Sequence, residues 1–104
     1  MNKCDITTEK FEKYKKILLD IIYTVLPGCE VYLFGSRARC EHDSGADIDL
    51  AIDNKDIIER KKLSKIKEKI EETTIPLHVD LIDLNNISET LRVEIQSEGL
   101  PWKN

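Results

Sequence analysis

The sequence predicts a small α/β or α+β two-layer domain, helices laid against a sheet. Three observations predict it. Apolar residues recur at three- and four-residue steps between positions 11 and 25, which is one face of a helix. Residues 47–52 alternate with period two, as a half-buried strand does. Helical and extended stretches then follow one another in the order α-β-(turn)-β-α-β-α, so helices must cover the sheet. The 104 residues leave room for a single domain, 1–104, and no second core.

The first helix opens at Thr7 or Thr8 as cap, with Glu9 and Glu12 near its positive end. Its apolar face is Phe11, Tyr14, Ile17, Leu18, Ile21, Ile22 and Val25. Pro27-Gly28 stops it. Val31–Phe34 is a short buried strand ended by Gly35-Ser36. Arg37–Cys40 is compatible with one helical turn, and Glu41–Gly45 is a polar loop. Asp47–Ile52 is the second strand. Asn54 or Asp56 opens a long helix to about Thr73, with Ile58, Leu63, Ile66 and Ile70 inward and Lys61, Lys62, Lys65, Lys67 and Lys69 in solvent. Pro76 breaks it, and Leu77–Asp83 is the third strand. Ser88 or Asn86 caps a last helix through Leu91 and Ile95, closed by Gly99 and Pro101.

Composition removes several function classes. The chain carries 16 Lys+Arg against 20 Asp+Glu, a net charge of −4. A dedicated nucleic-acid binder would show a basic stripe, so direct nucleic-acid binding is not expected. A nucleotide ligand stays possible, because metal ions bridge two anions. Cys4, Cys29 and Cys40 form no CxxC pair, which argues against a disulfide framework or zinc knuckle and for a reducing cytosol. Apolar runs such as Ile17–Leu18–Leu19 are far too short for a membrane span. Met1–Asp5 shows no signal-peptide pattern, so a cytoplasmic location is expected.

The acidic residues are unevenly spread. Between positions 41 and 54 stand Glu41, Asp43, Asp47, Asp49 and Asp53, with no Lys or Arg. Asp47 and Asp49 occupy i and i+2 of a strand and point to one face, while Ile48, Leu50 and Ile52 take the core face. In the third strand Leu77, Val79 and Leu81 share one face, and His78 and Asp80 the other. If the strands are neighbours, Asp80 meets Asp47 and Asp49. Two carboxylates about 5 Å apart repel by roughly 3 kcal/mol at an effective dielectric near 20. Protons or a divalent cation must offset that, and carboxylate oxygens with water suit Mg²⁺ or Mn²⁺ better than zinc. Three carboxylates leave coordination positions open for phosphate oxygens, and two such ions can clamp an in-line phosphoryl displacement.

Gly35-Ser36 complements the acids. Gly35 lacks Cβ, so phosphate can approach the backbone. The amides of Ser36 and Arg37 and the Ser36 hydroxyl are donors for phosphate oxygens. Arg37 and Arg39 supply the only positive charge between Lys16 and Lys55.

The segment Leu33-Phe34-Gly35-Ser36-Arg37-Ala38-Arg39, followed by Ala46-Asp47-Ile48-Asp49-Leu50, resembles the GS-x10-DxD signature of the polymerase-β-like nucleotidyltransferase superfamily. Within it the short chain is similar to the minimal nucleotidyltransferase (MNT) domain, and Val79–Asp83 resembles that family's third-carboxylate strand. The matching segments span about residues 31–83. GS or DxD alone is a weak signal; the pair at this spacing with a later strand-borne Asp is a strong one. Many relatives have Gly at Cys40 and Ser or Thr at Ala46, so a local hydroxyl is missing here, but no motif carboxylate is.

The resemblance implies a mixed sheet with the site on its exposed end, ATP or another NTP as donor, and Mg²⁺, two ions in the expected arrangement. Asp47, Asp49 and Asp80 would bind metal, Asp80 also serving the acceptor hydroxyl as base or ligand. Gly35 and Ser36, with Arg37 and Arg39, would hold phosphates. It also implies an all-helical HEPN partner, the MNT member acting as antitoxin to an RNase toxin and in some pairs transferring AMP to a toxin tyrosine. The expectation is therefore a Mg²⁺-dependent nucleotidyltransferase. The competing functions are an antitoxin that blocks its partner sterically without turnover, and an orphan transferase acting on a small molecule.

Each residue also has a plainer role available. Asp47, Asp49 and Asp80 can be solvated strand carboxylates, and Ser36 a helix cap. Arg37 and Arg39 divide among phosphate, structural acids and a partner. Asp83 lies on the other face of its strand, before Asn85-Asn86, and reads as a turn or cap residue. His78 shares the proposed site face, where it can assist as a base, orient a ligand or simply face solvent. An EF-hand fails, since Ile48 stands where a loop from Asp43 needs Gly and Asn54 replaces the closing Glu. The Lys-rich helix carries its own acids and reads as a solvated face. Trp102 either covers the core edge or belongs to a partner surface, and an exposed Trp102 would favour self-association.

Overall fold

The computed structural model describes residues 9–35 and 47–103. In chain order the elements are α1 (Glu9–Val25), β1 (Glu30–Phe34), β2 (Ile48–Asp53), α2 (Arg60–Glu71), β3 (Val79–Asp83), α3 (Glu89–Glu98) and β4 (Leu100–Trp102). The strands form one four-stranded sheet in the order β3-β2-β1-β4. β1 runs antiparallel to β2 and to β4, and β2 runs parallel to β3, so the sheet is mixed. The α+β expectation holds, but helices cover both faces of the sheet instead of forming the two layers expected, because Ala51, Tyr32 and Phe34 give the second face an apolar patch of its own. Thr7, Thr8, the turn at 37–40 and the loop at 41–45 lie outside the described residues.

The helical face of α1 buries Phe11, Leu18, Leu19 and Ile22. They meet Val31 and Leu33 of β1, Ile48, Leu50 and Ile52 of β2, Leu81 of β3 and Ile66 of α2 in the main core. Each fully buried Leu or Ile contributes about 1.5–3 kcal/mol relative to exposure. Ile17, expected on the inner face, is 38% exposed; Leu19 is buried instead, one step round the helix. After α1, Leu26 N–H still donates to Ile22 C=O at 2.8 Å, and Gly28 at φ +88° reverses the chain into β1.

α3 lies on the other face of the sheet, where Ile95 joins Ala51 and Leu84 in a second, smaller core, with Tyr32, Phe34 and Leu91 packed against it. Ser88 caps this helix, its hydroxyl accepting from Leu91 N–H at 3.3 Å. The chain then continues into β4, a strand the sequence did not announce. β4 pairs Trp102 with Val31 and Leu100 with Leu33. Trp102 is 5% exposed and meets Phe11 edge-to-face at 5.8 Å between ring centroids. It covers the core edge, so its side chain offers no exposed patch for self-association.

α2 begins at Arg60, later than Asn54 or Asp56. Asp53 Oδ1 accepts from Lys55 N–H at 2.9 Å, and Lys55 sits at φ +69°. That local turn competes with helical hydrogen bonding. Ile58 is buried ahead of the helix, its N–H donating to Asp83 Oδ2 at 2.8 Å. Among the described residues, no helix is long and apolar enough to cross a membrane.

Candidate active site

The sheet places the candidate carboxylates by register. Asp49 of β2 is the Cα partner of Asp80 in parallel β3 and of Phe34 in antiparallel β1. Partners in register share a face, so Phe34, Asp49 and Asp80 form one row across three strands. That face is opposite to Ile48, Leu50 and Leu81, which are buried in the main core. Asp49 is half-buried and Asp80 exposed. Asp47, also exposed, immediately precedes β2.

Gly35 extends the row. It follows Phe34 at φ +76°, in the region L side chains avoid. A Cβ built there would run into Asp49 Oδ2 and stand 3.3 Å from Asp49 Cγ. The Gly35 backbone thus lies directly against the Asp49 carboxylate. Ser36, Arg37 and Arg39 lie outside the described residues.

The other acids at the sheet are at its opposite end and do different work. Asp83 is 7% exposed; its Oδ2 accepts from Ile58 N–H and its Oδ1 from Asn85 N–H at 3.0 Å. Asp83 is the turn residue the sequence indicated. Asp53 Oδ1 accepts from Asn85 Nδ2 at 2.9 Å. That bond, with the Lys55 N–H, holds the Asp53 carboxyl below the usual range. These two acids tie the C-terminal ends of β2 and β3 together. The Asp49–Asp80 end keeps its carboxylates on an accessible face.

Two cavities border the row. One of about 200 Å³ adjoins Gly35 and is lined by Phe34, Leu91, Glu94 and Ile95. The other, about 310 Å³, adjoins Asp80 and is lined by Ile70, Ile75, Leu77 and His78. The second draws on the end of α2 and the segment after it, far in sequence from the Asp motif, so no local pattern announces it. His78 is exposed, and its C=O accepts from Ile48 N–H at 2.9 Å.

Among the described residues, no three Asp, Glu, His or Cys side chains are gathered closely enough to hold a metal ion. What the row offers is a pair of carboxylates in register with an exposed third nearby. Hard oxygen donors with open positions are the set Mg²⁺ accepts, since it keeps waters and takes substrate phosphates through one or two carboxylates. Gly35 adds a bare backbone where a Cβ would fill the space beside one of those oxygens. In donor type these residues suit a Mg²⁺–phosphate group; their spacing among the described residues does not by itself make a metal site.

Comparison with known proteins places the chain among nucleotidyltransferases. The profile of the family described as polymerase beta, nucleotidyltransferase matches residues 29–101. Probable protein adenylyltransferase MntA of Haemophilus influenzae is 32% identical over 88 residues, covering 85% of this chain and 74% of its own. A chain of a toxin–antitoxin crystal structure with AMP-PNP superposes with a TM-score of 0.72 at 22% identity, over 86% of this chain and 73% of its own. A chain of the complex between a tri-AMPylated Shewanella oneidensis HEPN toxin and its MNT antitoxin gives 0.68 at 21%, over 89% and 71%. At those identities the two structures establish the fold.

Proposed function

The chain belongs to the polymerase beta nucleotidyltransferase family, and from that premise we propose that it transfers AMP from ATP to a hydroxyl of a partner protein. The acceptor in this reading is a tyrosine of a HEPN toxin, and the transfer is the antitoxin action. The observation that carries it is the row Gly35–Asp49–Asp80 on one face of the sheet. The relative named as a protein adenylyltransferase and the tri-AMPylated HEPN toxin support the acceptor class.

Asp49 and Asp80, partners in register, would hold Mg²⁺ with phosphate oxygens and water completing its shell, and Asp47 would join them only as the ions bind, two in the full arrangement. The chemistry Mg²⁺ supplies when bound is neutralisation of charge on the phosphate and on the attacking and leaving oxygens. The chain's own groups do the rest. Gly35, which carries no Cβ, and Ser36 would receive the β- and γ-phosphates, with Arg37 and Arg39 balancing their charge. Asp80, exposed beside Asp49, takes the proton of the acceptor hydroxyl as its oxygen attacks the α-phosphorus. The α–β phosphoanhydride bond breaks and pyrophosphate leaves in line. An acidic face needs a cation to admit a triphosphate, which makes the reaction Mg²⁺-dependent.

The test is incubation with labelled ATP, with and without Mg²⁺ and a HEPN protein encoded beside it, reading covalent AMP on the partner. Label that requires Mg²⁺ and disappears in Asp47→Ala or Asp49→Ala is the expected result. Neutralisation of the partner that survives both substitutions, with no label, would assign the chain to steric inhibition.

A further inference from the structure

We infer that the outer edge of β3 is the docking rail for the acceptor, which enters as an extended segment and adds a fifth strand beside Asp80. This deepens the transferase reading and rests on it. β3 is the terminal strand of the sheet, and among the described residues no strand pairs with its outer edge. Its ladder to β2 is anchored at both ends. Ile48 N–H donates to His78 C=O, and Leu84 N–H donates to Ile52 C=O, both at 2.9 Å. In a parallel ladder the backbone groups of alternate residues face the neighbouring strand. His78, Asp80, Ile82 and Leu84 therefore direct N–H and C=O towards β2, and Val79 and Leu81 direct theirs outward. An outward row of this kind templates an added strand.

The surroundings decide which segment suits it. The edge closes near Asp83, where Ile58 N–H reaches the Asp83 side chain. Among the described residues, no strand pairs with the half that carries Asp80. Beside that half lies the 310 Å³ cavity lined by half-buried Ile70, Ile75, Leu77 and Val79 and by the polar Lys67, Glu71 and His78. Side chains of an added strand alternate between two faces. One set would enter this cavity, whose wall mixes apolar and polar groups and so suits a small β-branched side chain such as threonine. The other would stand on the face of Asp49 and Asp80, with one residue aligned to Asp80 about 4.8 Å away along the hydrogen-bonding direction. A tyrosine aligned there is long enough to lean across Asp80 towards Asp49; a serine is not. The occupant is thus an extended acceptor segment with a central tyrosine between apolar or β-branched neighbours. Continuity of the edge with the carboxylate row is what ties it to the acceptor.

The test uses the full ¹⁵N-labelled chain, Mg²⁺ with a non-hydrolysable ATP analogue, and the probe peptide acetyl-Thr-Val-Thr-Tyr-Thr-Val-Thr-amide. In the free chain the Val79 and Leu81 amides should exchange at least about 100-fold faster than those of Ile82 and Leu84. Millimolar peptide should slow Val79 and Leu81 at least about tenfold, and ATP in place of the analogue should put AMP on the peptide tyrosine. Val79→Pro removes an outward donor, which an edge strand tolerates, together with a half-buried side chain of the cavity wall. It should raise KM for the peptide at least about fivefold while analogue affinity is unchanged. The proposal is overturned if the peptide accepts AMP while both amides stay fast, or if it neither slows them nor accepts AMP although the analogue binds. It is also overturned if the same amides slow with protein concentration alone, which would give the edge to a second copy of the chain. Failure of the analogue to bind would instead overturn the transferase reading.

Discussion

Gly35 and Asp49 stand so close that the glycine's missing side chain is what leaves room for the aspartate's carboxylate. A Cβ on Gly35 would overlap Asp49 Oδ2 and sit 3.3 Å from its Cγ, and the Gly35 φ of +76° is itself unfavourable for any L side chain. Gly35→Ala therefore meets two penalties at once. The backbone term costs about 1–2 kcal/mol, and the clash must be relieved by turning Asp49 away. A loss of about 1–3 kcal/mol would lower the melting temperature by roughly 4–20 °C, with AMP transfer reduced about 100-fold or more. Thermal unfolding and the label-transfer rate check the two effects separately.

Removing the charge of Asp49 or Asp80 should separate chemistry from stability. The two are register partners in adjacent strands, and like charges directly opposite one another in a sheet are destabilising. Asp80→Asn keeps the shape and removes a proton acceptor. AMP transfer should fall by about 10²–10⁴-fold, while the urea midpoint stays level or rises. Asp49→Asn should lower AMP transfer to a similar extent. A variant that loses activity and unfolds earlier would mean that the row serves the fold.

Much of this was legible before any geometry. The period-two run at Asp47–Ile52 dictated which residues of β2 enter the core, and the later Val79–Asp83 run did the same for β3. The face carrying Asp49 and Asp80 followed from that. Local pattern could not give the order of strands, and hence the register that joins Asp49 to Asp80. Nor could it give β4: three residues containing Pro101 make no strand by themselves, and pairing with β1 and burial of Trp102 hold them extended. The late start of α2 had a readable cause, because Asp53 and Asn54 are turn formers. Burial of Ile58 ahead of the helix depends on Asp83, 25 residues away, and was not readable.

Asp83 makes that distant tie testable. Its two oxygens accept from Ile58 N–H at 2.8 Å and Asn85 N–H at 3.0 Å, and the first of these bonds is buried. Asp83→Ala leaves a buried N–H without its acceptor and should cost about 2–3 kcal/mol in chemical denaturation. Asp83→Asn keeps the carboxamide oxygen for one donor and should lose less. Because Asp83 faces away from the Asp49–Asp80 row, the Asn variant should bind nucleotide normally where it is folded.

Stability should also fall on the alkaline side, and Cys29 is the group to watch. It is 6% exposed, immediately before β1. Burial, with smaller contributions from the charges of Asp53 and Glu30, pushes its thiol from 9.0 up to about 11. Below pH 9 the thiol is protonated in both folded and unfolded chains and has no effect on the balance. Between pH 9 and 11 the unfolded chain releases the proton and the folded chain retains it, so the unfolded state gains. The full effect of such a shift is on the order of 2–3 kcal/mol. Tyr32 adds to it at higher pH, because its hydroxyl donates to Glu30 Oε2 at 2.6 Å and is pushed up to about 12. Urea midpoints measured under reductant should hold level to pH 9 and then drop. In Cys29→Ala the wild-type excess at neutral pH should shrink by pH 11, and Tyr32→Phe should flatten the part of the curve above pH 10. Parallel curves for wild type and Cys29→Ala would show that the thiol does not stay protonated in the folded chain.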